Sequence, residues 1–140
     1  MKVLVADDEA PARQRLLSLL AELDLATHAI EAGDGHQALE LARSERPEVA
    51  LLDIRMPGMD GIQVAMRMSD DQLPVAVVFV TAYDEHALDA FDANAIDYLL
   101  KPIRRERLQA ALQKARLLNR AQRDAVVMQI PDPGLLVTYR

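Results

Sequence analysis

The chain has 140 residues, of which 51% are hydrophobic and only 4% aromatic, and this suits one domain with an aliphatic core. Its formal net charge of -6 and pI of about 5.0 argue against a nucleic-acid-binding surface on this segment. It lacks cysteine, which excludes disulfides and thiolate metal sites, and no apolar run approaches the roughly 20 residues of a membrane span, so we expect a cytoplasmic protein without membrane contact.

Short apolar runs that suit buried strands alternate along the chain with segments of helical periodicity. The predicted strands are, in order, Lys2–Ala6, Thr27–Ala32, Val49–Leu52, Val75–Val80 and Tyr98–Leu100. A predicted helix follows each strand, and the five helices begin near Pro11, Gly35, Gly61, Asp84 and Arg104. The fifth helix is predicted to run to about Ala121.

These elements make five repeats of a strand followed by a helix. Parallel strands need crossover connections, and right-handed crossovers place helices over both faces of the sheet. The sequence therefore predicts an α/β fold with a doubly wound, five-stranded parallel sheet. The flavodoxin-like order 2-1-3-4-5 places the first and third strands side by side, where the strand order reverses and ligands bind in such sheets.

Acidic residues follow the two strands that meet at that point. Asp7 and Asp8 end the first strand, and Asp53 ends the third. Two carboxylates about 4 Å apart repel by roughly 4 kcal/mol at an effective dielectric constant near 20, so such a cluster takes up protons or binds a cation. Oxygen ligands without histidine or cysteine favour Mg²⁺ or Mn²⁺.

The fourth and fifth strands end in residues of complementary chemistry. Thr81 offers a hydroxyl group, and Lys101 offers a mobile positive charge that can pair with a carboxylate or a phosphoryl oxygen. A carboxylate nucleophile, a divalent cation, a hydroxyl and a lysine around one pocket suit phosphoryl transfer onto an aspartate.

This set of residues resembles the receiver domains of two-component response regulators. The resemblance covers residues 1–121 and rests on Asp7-Asp8, Asp53 within LLDIRMPGMDG, Thr81-Ala82, Tyr98 and Lys101-Pro102. It implies a receiver that accepts a phosphoryl group on Asp53 from a sensor histidine kinase. It also implies that the chain is not an enzyme beyond its own Mg²⁺-dependent phosphorylation and dephosphorylation.

The resemblance further assigns the metal ligands. Asp8, Asp53 and the backbone carbonyl of Arg55 would ligate Mg²⁺ (or Mn²⁺), whereas Asp7 would act mostly through water. The phosphoryl group would add roughly -1.5 to -2 charges to this pocket, which gives its pull on neighbouring groups a physical source.

The resemblance also implies how the switch works. Lys101, Thr81 and Ala82 would bind the phosphoryl group, and Tyr98 would turn inward as Thr81 shifts. The signal would then reach the surface formed by the predicted fourth helix, the fifth strand and the fifth helix, which is also the candidate homodimer interface.

The segment from Thr81 to Pro102 is similar to receivers of LytTR-type regulators, including regulators of the alginate kind. In that subfamily a DNA-binding transcriptional output domain follows the receiver. Residues 122–140 are therefore predicted to be a linker or the truncated start of an output domain, and DNA contact would belong only to a domain absent from this chain.

Three local predictions concern the surroundings of the acidic residues. Arg55 and Tyr83 each lie two positions beyond a site residue, and we expect their side chains to shield the acyl phosphate from water and so tune its lifetime. Asp60 is predicted to cap the third helix, in preference to joining the acidic cluster. Met66 is predicted to be a core residue.

Other functions share part of this pattern. A flavodoxin-like electron carrier would have the same topology, but the acidic loop DDEAPAR would repel the FMN phosphate. A phosphatase of the haloacid dehalogenase type would need a second acid two residues after its nucleophile, where this chain has Arg55. A stand-alone receiver that acts by protein contact would differ only in the sequence beyond Arg140.

Overall fold

The computed structural model describes residues 1–26, 28–82 and 93–129, with side chains described through residue 118. The described elements are β1 (Lys2–Ala6), α1 (Ala10–Leu23), β2 (His28–Ala32), α2 (Gly35–Glu45), β3 (Val49–Leu52), α3 (Gly61–Asp70), β4 (Ala76–Thr81), β5 (Asp97–Leu100) and α4 (Arg105–Gln129). The predicted fourth helix, which begins at Asp84, lies outside the described residues, so α4 is the helix that the sequence predicts as the fifth.

The five strands form one parallel sheet in the order β2-β1-β3-β4-β5, which confirms the predicted fold class and strand order. The strands β1 and β3 are neighbours, and their register pairs Ala6 with Leu52 at the carboxyl ends. The residues that follow this pair, Asp7 and Asp53, therefore leave the sheet side by side.

Each face of the sheet carries its own hydrophobic cluster, because side chains alternate between the faces along a strand. One cluster joins the sheet to α2 and α3 and includes Leu4, Leu39, Leu52, Val64, Met68 and Phe79. The other joins the sheet to α1 and α4 and includes Val5, Leu16, Leu20, Leu51, Leu108 and Leu112. Burying one such side chain contributes roughly 1.5–3 kcal/mol, so both helical layers are anchored to the sheet.

The starts of α1 and α3 follow the predicted signals. Pro11 lies in the first turn of α1. At α3, the Asp60 carboxylate accepts a hydrogen bond from the Gln63 backbone N–H at 2.8 Å, and the Gln63 side chain accepts one from the Asp60 N–H at 2.9 Å. This reciprocal pair is a capping box, and it confirms that Asp60 caps the helix.

The prediction that Met66 is a core residue is wrong, because 51% of Met66 is exposed. The buried face of α3 consists of Gly61, Val64, Ala65 and Met68, which follows the helical spacing of three and four residues. Met66 lies roughly 100° around the helix from Ala65 and so points away from the sheet.

The helix α4 ends at Gln129, whereas the sequence predicts an end near Ala121. No glycine or proline interrupts the chain between these residues, and Pro131 is the next helix-breaking residue. The first part of the predicted linker therefore continues the helix. None of the helices in the described ranges combines the length and apolar character that crossing a membrane requires.

Gly61 is the first residue of α3, and it lies against the backbone that follows β3. Its N–H donates a hydrogen bond to the Ile54 carbonyl at 2.8 Å. A Cβ at this position would lie 2.1 Å from the Asp53 carbonyl oxygen, a distance that no real side chain tolerates without a backbone shift. By contrast, the nearest atoms to a Cβ at Gly33 would be 3.8 Å away. The close approach of α3 to Asp53 therefore depends on glycine.

Replacing Gly61 by alanine should lower the free energy of unfolding by about 1–3 kcal/mol, because the added methyl group forces α3 away from the Asp53 backbone. Urea denaturation measures the change. The matched variant Gly33→Ala should stay within about 0.5 kcal/mol of the original chain. Equal stability of the two variants would show that α3 moves aside without cost.

Candidate functional site

Two carboxylates come together where β1 and β3 end. The Asp53 N–H donates a hydrogen bond to the Ala6 carbonyl at 2.9 Å, which continues the ladder one residue beyond the paired strands. Both acids are buried, with 1% of Asp7 and 8% of Asp53 exposed. Since a buried charge without a partner costs several kcal/mol, this pair requires a compensating cation.

Lys101 is that cation, and it comes from the end of β5. Its backbone N–H donates to the Thr81 carbonyl at 2.8 Å, directly after the last paired residues of β4 and β5. Its Nζ donates to Oδ2 of Asp7 at 2.7 Å and to Oδ2 of Asp53 at 3.2 Å. One ammonium group therefore links both buried acids.

Asp7 is held by further hydrogen bonds that the sequence patterns do not reveal. Its Oδ1 accepts from the Glu9 backbone N–H at 2.9 Å. Its backbone carbonyl accepts from Nη1 of Arg13 at 2.8 Å. A basic residue in the first turn of α1, just after an acidic loop, is the one sequence signal that could have indicated this contact.

Asp8 completes an acidic cluster on the solvent side. Carboxylate oxygens of Asp7, Asp8 and Asp53 all lie within 4.8 Å of one another, and Asp8 is exposed. These three carboxylates and the single Lys101 ammonium together carry a formal charge of -2. An all-oxygen donor set with this charge fits Mg²⁺ or Mn²⁺.

The pocket changes the proton affinity of its central groups. Burial raises the pKa of the Asp53 carboxyl above its ordinary value of 3.8, and the charge of Asp7 adds to this effect while Lys101 opposes it. Burial alone would lower the pKa of Lys101, but the hydrogen bond to Asp7 and the charge of Asp53 outweigh it, so the pKa rises above 10.5. Lys101 therefore stays charged at neutral pH. Beside it, burial and the charge of Asp7 disfavour the charged form of Asp53.

The raised pKa of Asp53 has a consequence for stability. Because the folded state binds the proton more tightly than the unfolded state, stability falls as the pH rises from below 3.8 through the folded pKa. Because burial disfavours the charged form of Asp53, and Lys101 keeps Asp7 as its partner, the variant Asp53→Asn should unfold with a higher free energy at neutral pH. Urea denaturation at several pH values measures this gain in stability. The gain should shrink as the pH falls toward 3.8, because Asp53 then becomes protonated in the original chain. A variant less stable than the original chain at neutral pH would contradict this electrostatic interpretation.

The remaining predicted site residues surround this centre. Thr81 is fully buried at the end of β4, and Ala82 follows it at the surface. Tyr98 is partly buried in β5 and packs against the cluster on the α2 and α3 side. Arg55 is exposed. Tyr83 lies outside the described residues.

An open groove leads to the acidic cluster from solvent. It has a volume of about 580 Å³ and is lined by Asp8, Ile54, Arg55, Met56, Pro57 and Asp60. The exposed acid of the cluster and the loop after β3 therefore share one accessible surface. Of the three clustered acids, Asp8 lines this groove, and its carboxylate lies within 4.8 Å of that of Asp53.

Residues 3–113 match the family model of the response regulator receiver domain, and this span contains the acidic cluster, Thr81 and Lys101. The chain belongs to that family. Receiver domains are signalling modules that interact with sensor histidine kinases and bind Mg²⁺ at an acidic pocket.

Similar curated proteins support the predicted subfamily. This receiver is 50% identical over 124 residues to the positive alginate biosynthesis regulatory protein of Pseudomonas aeruginosa, covering 87% of this chain and 50% of that protein. It is 38% identical over 120 residues to the sensory transduction protein LytT of Bacillus subtilis, covering 86% of this chain and 50% of that protein. The similarity to LytTR-type regulators is thus confirmed. The chain spans about half the length of these relatives.

Solved structures of receiver domains share the fold. The response regulatory domain of protein mrkE from Klebsiella pneumoniae is 32% identical, has a TM-score of 0.76, and is matched over 86% of this chain and 99% of that one. The receiver domain of AraT, a response regulator from Geobacillus stearothermophilus, is 36% identical, with a TM-score of 0.74 and coverage of 86% and 97%.

Proposed function

We propose that this receiver is activated by phosphorylation of Asp53 by a sensor histidine kinase. The observation that carries the proposal is the position of Asp53, whose Oδ2 lies 3.2 Å from the Lys101 ammonium within a cluster of acids that fits a divalent cation. The carboxylate is shielded from water yet lies next to an open groove. A carboxylate in this position suits the role of phosphoryl acceptor better than the role of partner in a purely structural ion pair.

In the proposed reaction, a carboxylate oxygen of Asp53 attacks the phosphorus atom of the donor. A P–O bond forms at Asp53 while the bond from phosphorus to the leaving group breaks, and the leaving group keeps the electron pair. The leaving atom is an imidazole nitrogen of a phosphohistidine, or a carboxylate oxygen of acetyl phosphate. Lys101 can pass its hydrogen bond from Asp53 to a phosphoryl oxygen, because a phosphoryl group on Asp53 would lie within reach of the ammonium that already contacts this carboxylate.

Asp8 and Asp53, with the backbone carbonyl of Arg55, are the proposed ligands of Mg²⁺, and Asp7 acts through water and Lys101. The ion supplies positive charge that stabilises the transferring phosphoryl group. The three acids and Lys101 together carry a formal charge of -2, which supports this assignment. A negatively charged phosphoryl donor would be repelled by this pocket unless a cation were bound there.

The proposed readout uses residues at the ends of β4 and β5. The buried hydroxyl of Thr81 and the backbone of Ala82 bind the phosphoryl group, and Tyr98 follows Thr81 inward. The phosphoryl group adds roughly -1.5 to -2 charges, which is sufficient to attract Thr81 and Lys101. The partly buried position of Tyr98 supports its role, since it is poised between core and surface.

The output of this receiver is proposed to be transcriptional, through a DNA-binding domain of the LytTR type beyond residues 122–140. The half-length match to the alginate and LytT regulators supports this division. We further propose a cytoplasmic location and a homodimer through the predicted fourth helix, β5 and α4. Within that surface Arg107 and Asp97 form an ion pair of 3.1 Å inside one chain.

Arg55 and Tyr83 are proposed to lengthen the life of the acyl phosphate by excluding water. The exposed Arg55 lines the groove beside Asp8, where an attacking water would enter. The double variant Arg55→Ala with Tyr83→Ala should lose its phosphoryl group several-fold faster after the donor is removed. The variant Arg67→Ala, which changes an exposed arginine on α3, serves as the control. An unchanged rate would exclude this shielding role for both residues.

Intact mass after incubation with acetyl phosphate tests the proposed function. One phosphoryl adduct should form in the presence of Mg²⁺ and disappear with EDTA, and the variant Asp53→Asn should form none. An adduct that persists in EDTA would overturn the metal assignment. A folded sample with no adduct under any condition would favour a receiver that works by protein contact alone.

A further inference from the structure

We infer that Arg13 is a positioning residue for the metal site, a role that rests on the proposed function. Its Nη1 donates to the Asp7 backbone carbonyl at 2.8 Å, and its Nε donates to Oε1 of Glu31 on β2 at 3.1 Å. Only 20% of the Arg13 side chain is exposed. The guanidinium group therefore joins the first turn of α1, the end of β1 and the edge strand β2.

The contact with the Asp7 carbonyl controls more than one residue. The carbonyl of Asp7 and the N–H of Asp8 belong to one planar peptide group, so fixing the direction of the carbonyl also fixes where the Asp8 backbone continues. The other side of Asp7 is fixed as well, because its N–H donates to the Ala32 carbonyl at 3.1 Å. Arg13 thus determines how the exposed Asp8 carboxylate is presented to a cation.

The charge of Arg13 does not work against this role. Glu31 lies in direct contact with the guanidinium group and offsets its positive charge close to the site. Gln14 also contacts the same Glu31 oxygen at 3.5 Å, which helps to hold the carboxylate toward Arg13. The pair can orient the Asp7-Asp8 peptide while adding little repulsion toward a divalent cation.

Geometry and charge predict opposite effects when Arg13 is removed. If Arg13 acted only as a nearby positive charge, its loss would tighten Mg²⁺ binding. If it positions the ligands, its loss weakens binding, by about tenfold, which is the lower end of the effect of removing groups that orient metal ligands. The sign of the change in affinity therefore distinguishes the two roles, and a purely structural role would alter stability alone.

Isothermal titration of the folded chain with Mg²⁺ tests the inference. We expect Arg13→Ala and Arg13→Gln to bind about tenfold more weakly, and Arg13→Lys, which keeps the charge and one donor, to recover part of the loss. The control Arg15→Ala removes an equal charge from the same helix at a residue that contacts the Ile103 carbonyl instead, and it should bind as the original chain does.

The outcomes separate this inference from the proposed function. If the original chain binds Mg²⁺ and Arg13→Ala binds equally well or more tightly, the positioning role is overturned and the proposed function stands. If the original chain does not bind Mg²⁺, both are overturned. Urea denaturation of each variant establishes that the titrated protein is folded. If Arg13→Ala does not fold, the affinities of Arg13→Gln and Arg13→Lys still test the positioning role.

Discussion

Replacing Lys101 by methionine should lower the free energy of unfolding at neutral pH by about 3 kcal/mol. The change leaves Asp7 and Asp53 buried without the ammonium that they share. Removing one partner of a buried ion pair typically costs about 3–5 kcal/mol. The lower end applies here because 27% of the Lys101 side chain is exposed.

The pH dependence supplies a second check on Lys101. Without the ammonium, the Asp53 carboxyl binds a proton more readily in the folded state, so the deficit should shrink as the pH falls toward the ordinary carboxyl pKa of 3.8. The original chain should lose the contribution of Lys101 only above pH 10.5, because the folded pKa of this lysine is raised. Lys114→Met, at an exposed lysine of α4, is the matched control and should change stability by less than about 0.5 kcal/mol. Equal stability of the two variants would contradict the shared ion pair as a source of stability.

Replacing Asp8 by asparagine should weaken Mg²⁺ binding by at least about 30-fold. One unit charge even about 4 Å from a divalent ion in a water-like dielectric accounts for that much, and a direct ligand lies closer. Asp8 is exposed, so the loss should not come from unfolding. Phosphorylation by acetyl phosphate should slow at low Mg²⁺ and recover when Mg²⁺ is raised. This recovery distinguishes a lost metal ligand from a damaged acceptor.

The exposed acid Asp70 at the end of α3 offers a matched control for that measurement. Asp70→Asn removes the same charge from a position outside the acidic cluster. It should bind Mg²⁺ and accept phosphoryl groups as the original chain does. A loss of affinity in Asp70→Asn equal to that in Asp8→Asn would mean that overall charge, and not ligation, controls the cation.

Much of the site could be predicted because its residues follow apolar runs. The runs before Asp7 and Asp53 have the length of a buried strand, and a shorter apolar run precedes Lys101. Parallel strands in the order 2-1-3-4-5 bring their ends to one edge. Local signals were equally reliable where the contact is local, as at Asp60, whose partner Gln63 lies three residues away.

Contacts that depend on three-dimensional packing could not be predicted in this way. The prediction for Met66 failed because Ile62, Ala65 and Met66 also follow helical spacing, so the sequence alone does not decide which face of α3 turns inward. The Arg13 contact joins residues of β1, α1 and β2 whose distances follow from the packing of α1 on the sheet. The sharing of Lys101 between two acids likewise depends on side-chain geometry.

The most direct test of Asp53 as the phosphoryl acceptor is to locate the phosphoryl group. The chain is incubated with acetyl phosphate and Mg²⁺ and then treated with borohydride, which reduces an acyl phosphate on aspartate to homoserine, and the peptides are sequenced by mass spectrometry. We expect homoserine at position 53 and nowhere else. Homoserine at Asp7 or Asp8 instead, or at Asp53 to the same extent when EDTA replaces Mg²⁺, would contradict the proposed Mg²⁺-dependent phosphorylation of Asp53.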